Sequence, residues 1–457
     1  MAAKGQRRRV GAVYRKAPID YILRPFRLFA RNSSAGGVLL AICVAAAMLW
    51  ANSAWSADYF SLWQQTAKIQ IGAFEMEKTL KHWIDDGLMA IFFFLVGLEI
   101  KREMLAGELA NLRKALFPLV AALGGMLAPA LVYLLLLRDP ALAHGWAIPT
   151  ATDIAFALGI LSLLGERVPL SLKVFLTALA IVDDIGAIVI IGLFYSAPPD
   201  FITLGLAALL LVVMAIVNRL GVRHTVIYAA FAFLLWLLVL KSGIHATIAG
   251  VLAAMVVPAR APIDTRPFIE AGEKVFHSLA RSGSLQGDIL RDAAVQDAVE
   301  DLTRLCDGVE TPLQKMERGL HPWVSFLILP LFALANAGVQ VIGISNGPLL
   351  GNLGFAVIGG LVIGKSMGIF GAAWLSVKCR LCTKPLDLTW VQLLGAACLG
   401  GIGFTMSLFI TALTFEIPHL TDQAKLGVLL GSFCAAVMGA LIIAMTNRKN
   451  GIIHENK

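Results

Sequence analysis

The chain has 457 residues, 58% of them hydrophobic and only 15% charged, with a net charge of +8 and a strongly positive mean hydropathy. A soluble domain averages about 25% charged residues, so this composition excludes a soluble enzyme or binding module and describes an integral membrane protein. The positive charge sits in short connections between apolar blocks, a placement that reports membrane orientation and not nucleic-acid binding.

In chain order, residues 1–34 form a basic tail whose only acid is Asp20, suited to lying on anionic headgroups at a cytoplasmic surface. The apolar block from Gly36 to Trp50 follows a basic region too long for a signal peptide and precedes further spans, so it reads as a first transmembrane helix. Residues 59–77 mix β-branched, aromatic and polar side chains around Ile71-Gly72 and read as a short extracytoplasmic hairpin. Such a hairpin is marginal alone in water, which points to pairing with the same hairpin of a second subunit. Further apolar blocks run over 86–100, 116–137, 146–165, 172–195, 202–218, 225–240, 243–258, 323–342, 353–377, 389–416 and 424–446. The length criterion makes these and the first block about 12 spans. Alternating the connections between the two sides puts 23 Lys and Arg on the N-terminal side and 6 on the other, leaving aside the loop after residue 258. Both termini are therefore expected in the cytoplasm. The membrane region spans 35–447, with a cytoplasmic tail at 448–457. Residues 259–320 carry about equal numbers of acids and bases and read as amphipathic helices on the cytoplasmic face, with a solvated linker as the plainer alternative. Of the six cysteines, Cys379 and Cys382 make a CxxC, but no second pair or nearby histidine completes a zinc site.

Ionisable residues inside the spans are few. The second span begins near Asp86 and ends at Glu99, where snorkelling is as reasonable as function. The fourth span, GWAIPTATDIAFALGILSLL, carries Pro149, and a break is expected between Pro149 and Asp153, with Thr152 and Asp153 placed to cap the freed amides. Irregular backbone at that depth is tolerated only when it is buried in protein or lines a cavity. The fifth span, VFLTALAIVDDIGAIVIIGLFY, holds Asp183 and Asp184 side by side at its centre. Each carboxylate there costs roughly 2.5–3.5 kcal/mol on the lenient insertion scale, so the pair reads as an ion or proton site reached by water. Adjacent helix positions point ~100° apart; one aspartate should face the cavity and take the cation while the other turns toward a partner. Lys365, central in FAVIGGLVIGKSMGIFGAAW, is that partner or the compensator of a helix C-terminus. Gly400, Gly401 and Gly403, with Thr405 and Ser407 nearby, mark a second interruption in the eleventh span. Paired interruptions in the two halves of a chain point to a midplane site built on inverted repeats. Hard carboxylate oxygens suit a small alkali cation, and protons competing for them give coupled exchange.

The segments ATDIAFALGILSLLGERVPLSLK, ALAIVDDIGAIVIIGLFY, LKSGIHATIAGV, HPWVSFLILPLFALANAGV, LVIGKSMGI and GIGFTMSLFI resemble the NhaA family of bacterial sodium/proton antiporters over roughly residues 30–447. That family is a standing example of inverted repeats with broken helices, so this agreement is not an independent prediction. The resemblance implies an all-α polytopic protein of the bacterial inner membrane, with twelve helices crossing at spans four and eleven and a small extracytoplasmic β-hairpin through which it dimerises. It implies electrogenic export of Na+ or Li+ against H+, about two protons per cation, without a cofactor. Asp183 and Asp184 match the ion-binding pair; Asp153 and Lys365 match the charged groups at the crossing, with Thr152 beside them. Glu99, Glu317 and His321 match the region tied to the pH response. Two departures bear on that response: the loop before His321 is longer than the family's, and Arg318 stands where a histidine is familiar beside Glu317.

Three other functions would each need features of their own. A proton-coupled symporter of an organic solute needs a larger polar pocket with aromatic or arginine contacts. A passive cation channel favours rings of carbonyls or charges generated by symmetry. An enzyme needs a nucleophile–base or metal-ligand set that the spans do not show, and His245 reads as structural or interfacial.

Overall fold

The computed structural model describes residues 35–71, 74–165, 168–261, 263–281, 293–341 and 350–454. The basic tail expected at 1–34 and the residues after 454 lie outside them. The structure is helical throughout except for one two-stranded sheet. Among the described residues seven helices are long and apolar enough to cross a membrane, and two bent pairs raise the number to nine. Two shorter apolar helices and the charged helix Met89–Ala106 occupy the remaining apolar blocks of the sequence.

The chain enters through α1 (Ala35–Ala51), turns by 112° into α2 (Ser56–Gln64), and forms β1 (Thr66–Ile71) and β2 (Phe74–Thr79). The strands pair antiparallel from Thr66 opposite Thr79 to Ile71 opposite Phe74. The hairpin is thus shorter than the 59–77 segment read from sequence, because residues 59–64 belong to α2. Tyr59 explains the difference: its hydroxyl donates to the Leu334 carbonyl (2.8 Å) and accepts from the Gly338 amide (3.1 Å), tying α2 to the bundle.

A π-helical turn, Trp83–Leu88, leads into α3 (Met89–Ala106), and α4 (Leu112–Leu136) follows. A 3-10 segment, Pro140–Thr150, precedes α5 (Ile154–Leu163). Then come α6 (Leu170–Phe194), α7 (Phe201–Arg219), α8 (Thr225–Lys241) and α9 (Thr247–Val256). Side chains close several helix ends. Asp200 caps α7 by accepting from the Ile202 and Thr203 amides. Lys101 donates to the Met255 carbonyl (2.7 Å) and the Val257 carbonyl (2.5 Å) at the end of α9, where a cation complements the carbonyl dipoles.

The long connection forms α10 (Thr265–Arg281) and α11 (Ala293–Val309), which pack on each other. A capping box of Thr311 and Gln314 starts α12 (Pro312–Trp323). It runs through a π turn into α13 (Leu329–Asn336). α14 (Gly351–Gly359), a π turn (Gly360–Lys365) and α15 (Ser366–Lys378) make one span. α16 (Trp390–Gly400) and α17 (Phe404–Thr414) follow, and α18 (Pro418–His454) closes the chain. The tail expected from residue 448 is, up to His454, a continuation of α18.

Small residues set the central packing. α4 and α15 meet at Gly124, Ala128, Gly368 and Ala372, where a Cβ on Gly368 would lie 2.2 Å from the Gly124 carbonyl oxygen. Close backbone approach through small residues is the usual way membrane helices associate, since lipid offers no hydrophobic drive between them. The same contact continues to Gly364, whose Cα–Cβ direction is blocked by Pro129 at 2.6 Å, and it fixes the depth of the adjoining Lys365. Gly368→Ala should destabilise the detergent-solubilised protein by about 1–3 kcal/mol through overpacking, whereas Gly371→Ala, which meets nothing within 4 Å, should leave thermal melting unchanged. Equal melting of the two variants would contradict this packing.

Candidate ion-binding site at the crossing of two interrupted helices

Two spans break at the same depth. Between the 3-10 segment and α5, Ala151 to Asp153 are extended, and the flanking helices are bent by 46°. Between α16 and α17, Gly401 to Gly403 leave the helix. The two irregular stretches touch through a bond from the Asp153 amide to the Ile402 carbonyl (2.6 Å). Four helix ends therefore meet inside the protein, two N-terminal and positive in partial charge, two C-terminal and negative.

Each end has a complement. Asp153, 2% exposed, serves both N-termini. Its Oδ1 accepts from the Phe156 amide of α5 (2.9 Å), and its Oδ2 accepts from the Thr405 amide (3.1 Å) and hydroxyl (2.6 Å) of α17. The Phe404 amide of α17 finds Ser432 Oγ at 3.1 Å. At the negative ends, the Lys365 ammonium donates to the Thr150 carbonyl, and Thr152 Oγ1 donates to the Gly400 carbonyl (2.7 Å). Ser407 Oγ reaches back to the Ile148 carbonyl (2.6 Å). Both roles read for Lys365 thus coexist, because it also forms an ion pair with Asp183.

Asp183 and Asp184 lie on α6, each 1% exposed, and Lys365 is 0% exposed. They divide as the helical geometry requires. Asp183 turns its Oδ2 to Lys365 and to Thr152 Oγ1 (2.5 Å). Asp184 forms no ion pair among the described residues, and it lies in the field of Asp183, Glu99, Asp153 and Lys365. Asp183 Oδ1 and Asp184 Oδ1 are both buried without a hydrogen-bond partner among the described residues. Unpartnered buried acceptors are rare enough that each needs a reason. Carboxylate oxygens of this kind are ligands for a hard, small cation. No group of three or more His, Cys, Asp or Glu residues suited to a resident metal occurs among the described residues.

The other residues singled out from sequence lie elsewhere. Glu317 pairs with Arg102 and, with His321, lines a cleft of about 520 Å³ at the end of the bundle bearing the long loop. Glu99 lies on α3 within electrostatic range of Glu317. Arg318 is taken up by Glu310 at 2.8 Å. His245 stacks edge-on against Phe409 with ring centroids 5.6 Å apart. Cys382 is buried with its Sγ 3.0 Å from Ser376 Oγ, while Cys379 is exposed. Sequence reasoning did not foresee that Asp153 serves both helix N-termini or that Thr150 supplies the carbonyl Lys365 meets. Thr405 was visible as a hydroxyl near the second break, but the residue it serves lies 252 positions away.

Interrupted spans, a buried ion pair and orphaned carboxylate oxygens at mid-depth define a secondary transporter. The chain matches the Na+/H+ antiporter 1 family over residues 27–443. It is 46% identical to the Na(+)/H(+) antiporter NhaA of Koribacter versatilis, over 93% of this chain and 92% of that protein. Identity is 47% to the NhaA of Oleidesulfovibrio alaskensis, covering 94% and 96%, and 44% to that of Salmonella arizonae, covering 91% and 97%. The chain belongs to the NhaA antiporter family.

Removing Lys365 would leave Asp183 and the Thr150 carbonyl buried together without their donor. Breaking a buried pair in this way costs about 3–5 kcal/mol. Lys365→Ala should therefore melt at a clearly lower temperature as well as lose transport, and unchanged melting would contradict the compensating role.

Proposed function

We propose that the protein exchanges cytoplasmic Na+, or Li+, for external protons at Asp183 and Asp184. The supporting observation is the pair of buried carboxylate oxygens, Asp183 Oδ1 and Asp184 Oδ1, that have no protein donor among the described residues. Oxygens in that state bind either a proton or a hard cation, and the two compete for one place. Lys365 holds the other Asp183 oxygen as a tethered cation, so an incoming ion must displace part of its interaction.

Hydrogen-bond accounting supports a proton on the same carboxyl, at the oxygen turned to Thr152. Thr152 Oγ1 has one proton but faces two acceptors, Asp183 Oδ2 at 2.5 Å and the Gly400 carbonyl at 2.7 Å. A carbonyl cannot donate, so both contacts are fully satisfied only when the carboxyl supplies a proton. Two carboxylates carrying two protons against one monovalent cation make the cycle electrogenic. Family membership favours this reading over a solute symporter, as does a site built from carboxylates, hydroxyls and one ammonium.

The charge asymmetry of the connections supports a hairpin outside the cytoplasm and both termini inside, and family membership supports a bacterial inner membrane. A two-stranded sheet has two open edges, which supports homodimer formation by strand pairing. Glu99, Glu317 and His321, at the opposite end, are assigned to the pH response: protonating carboxylates around the Arg102–Glu317 pair changes the charge facing an arriving cation.

In everted vesicles with a preset pH gradient, sodium should collapse the gradient in the wild type and fail to do so in Asp184→Asn. A silent wild type, or an active Asp184→Asn, would reject the assignment. Exchange should also quicken or slow with an imposed potential set by a potassium diffusion gradient, and a rate indifferent to potential would reject electrogenicity.

A further inference from the structure

A second aspartate pair, Asp85 and Asp86, stands at the hairpin end of α3. Asp86 is held by Lys78 at 2.6 Å. Asp85 forms no ion pair among the described residues; it is 9% exposed and sits in the π turn that starts the span. Its Oδ1 accepts from Asn336 Nδ2 at 2.7 Å, and Asn336, the last residue of α13, is 0% exposed. The same Nδ2 donates to the Phe332 carbonyl at 3.3 Å. These two acceptors fix the amide's orientation, since flipping it would aim its oxygen at a carboxylate and a carbonyl. Asn336 Oδ1 is left buried with no hydrogen-bond partner among the described residues.

An amide oxygen needing a donor, beside an unpaired carboxylate, is a donor set for a hard monovalent cation. Around it, Lys81 and Lys425 act on Asp85, and Asp422 acts in turn on Lys425. The neighbouring Lys81 ammonium weakens the attraction for any further cation, so such a site holds its ion loosely.

Its position relative to the crossing is informative. Phe93 follows Asp85 by eight residues, about 12 Å along the helix. Its ring lies 5.7 Å from that of Phe409, which lies 6.3 Å from Phe332 and 5.6 Å from His245. Phe409 is four residues beyond Thr405, about 6 Å from the crossing. An aromatic layer therefore separates the Asp85–Asn336 pair from Asp183 and Asp184, and Asn336 is bonded to the backbone of one of its members.

We propose that Asp85 and Asn336 form a second, low-affinity site for the alkali cation, a station between the aromatic layer and the hairpin face. This rests on the exchange reading of Asp183 and Asp184. The test measures the apparent KM for sodium separately at each face, in right-side-out and everted vesicles. Asp85→Asn should raise the hairpin-face KM about tenfold and leave that at the loop face within twofold. Lys81→Gln removes a competing ammonium and should lower the hairpin-face KM severalfold, a gain that misfolding cannot produce. Equal shifts at both faces, or no shift with either variant, would overturn the station while leaving the exchange site standing. A wild type that exchanges no sodium at either face would remove both.

Discussion

The centre of this protein depends on one carboxylate accepting bonds from two helices that begin inside it. Asp153 joins the N-termini of α5 and α17 through three donors, while its own amide binds the facing break. Without those acceptors, two helix ends would present bare amides in a dry interior, where each unmet donor costs kilocalories. With them, backbone can be irregular inside the protein where continuous helices would otherwise run.

The remaining charges are distributed around that constraint. Lys365 meets a negative helix end and Asp183 together, so one ammonium compensates both. Its depth is set by α4 and α15 pressing glycine against glycine, which leaves the side chain little freedom to move away. Asp184 forms no ion pair among the described residues, and its Oδ1 is buried without a hydrogen-bond partner among them. At the loop end, Arg102, Glu317 and His321 share a polar cleft; at the hairpin end, an aromatic layer caps the site. The two ends thus differ in chemistry, one lined by charged side chains and the other by aromatic rings.

Much of this could be read from residues alone. Asp183-Asp184 in an apolar run cannot be explained by packing, and Pro149 and the glycines at 400, 401 and 403 disrupt helices whatever surrounds them. The reading of residues 59–64 as strand failed because their helix is held by Tyr59 reaching Leu334 and Gly338, contacts about 275 positions distant. Asp85 escaped notice for a similar reason. It was not singled out beside Asp86 at the start of the span, and its partner Asn336 is brought in from α13, 251 positions away.

By itself, then, the order of residues determined where the chain crosses the bilayer, which face carries the basic loops, where two spans must break and which side chains are too costly to bury idly. These follow from local hydropathy, charge and backbone geometry, properties that each segment owns. Tertiary structure alone decided the pairings: Asp153 with Thr405, Lys365 with Asp183 and Thr150, Thr152 with Gly400. Those contacts join segments tens to hundreds of positions apart, and an electrostatic interaction depends on distance in space, which no local pattern contains.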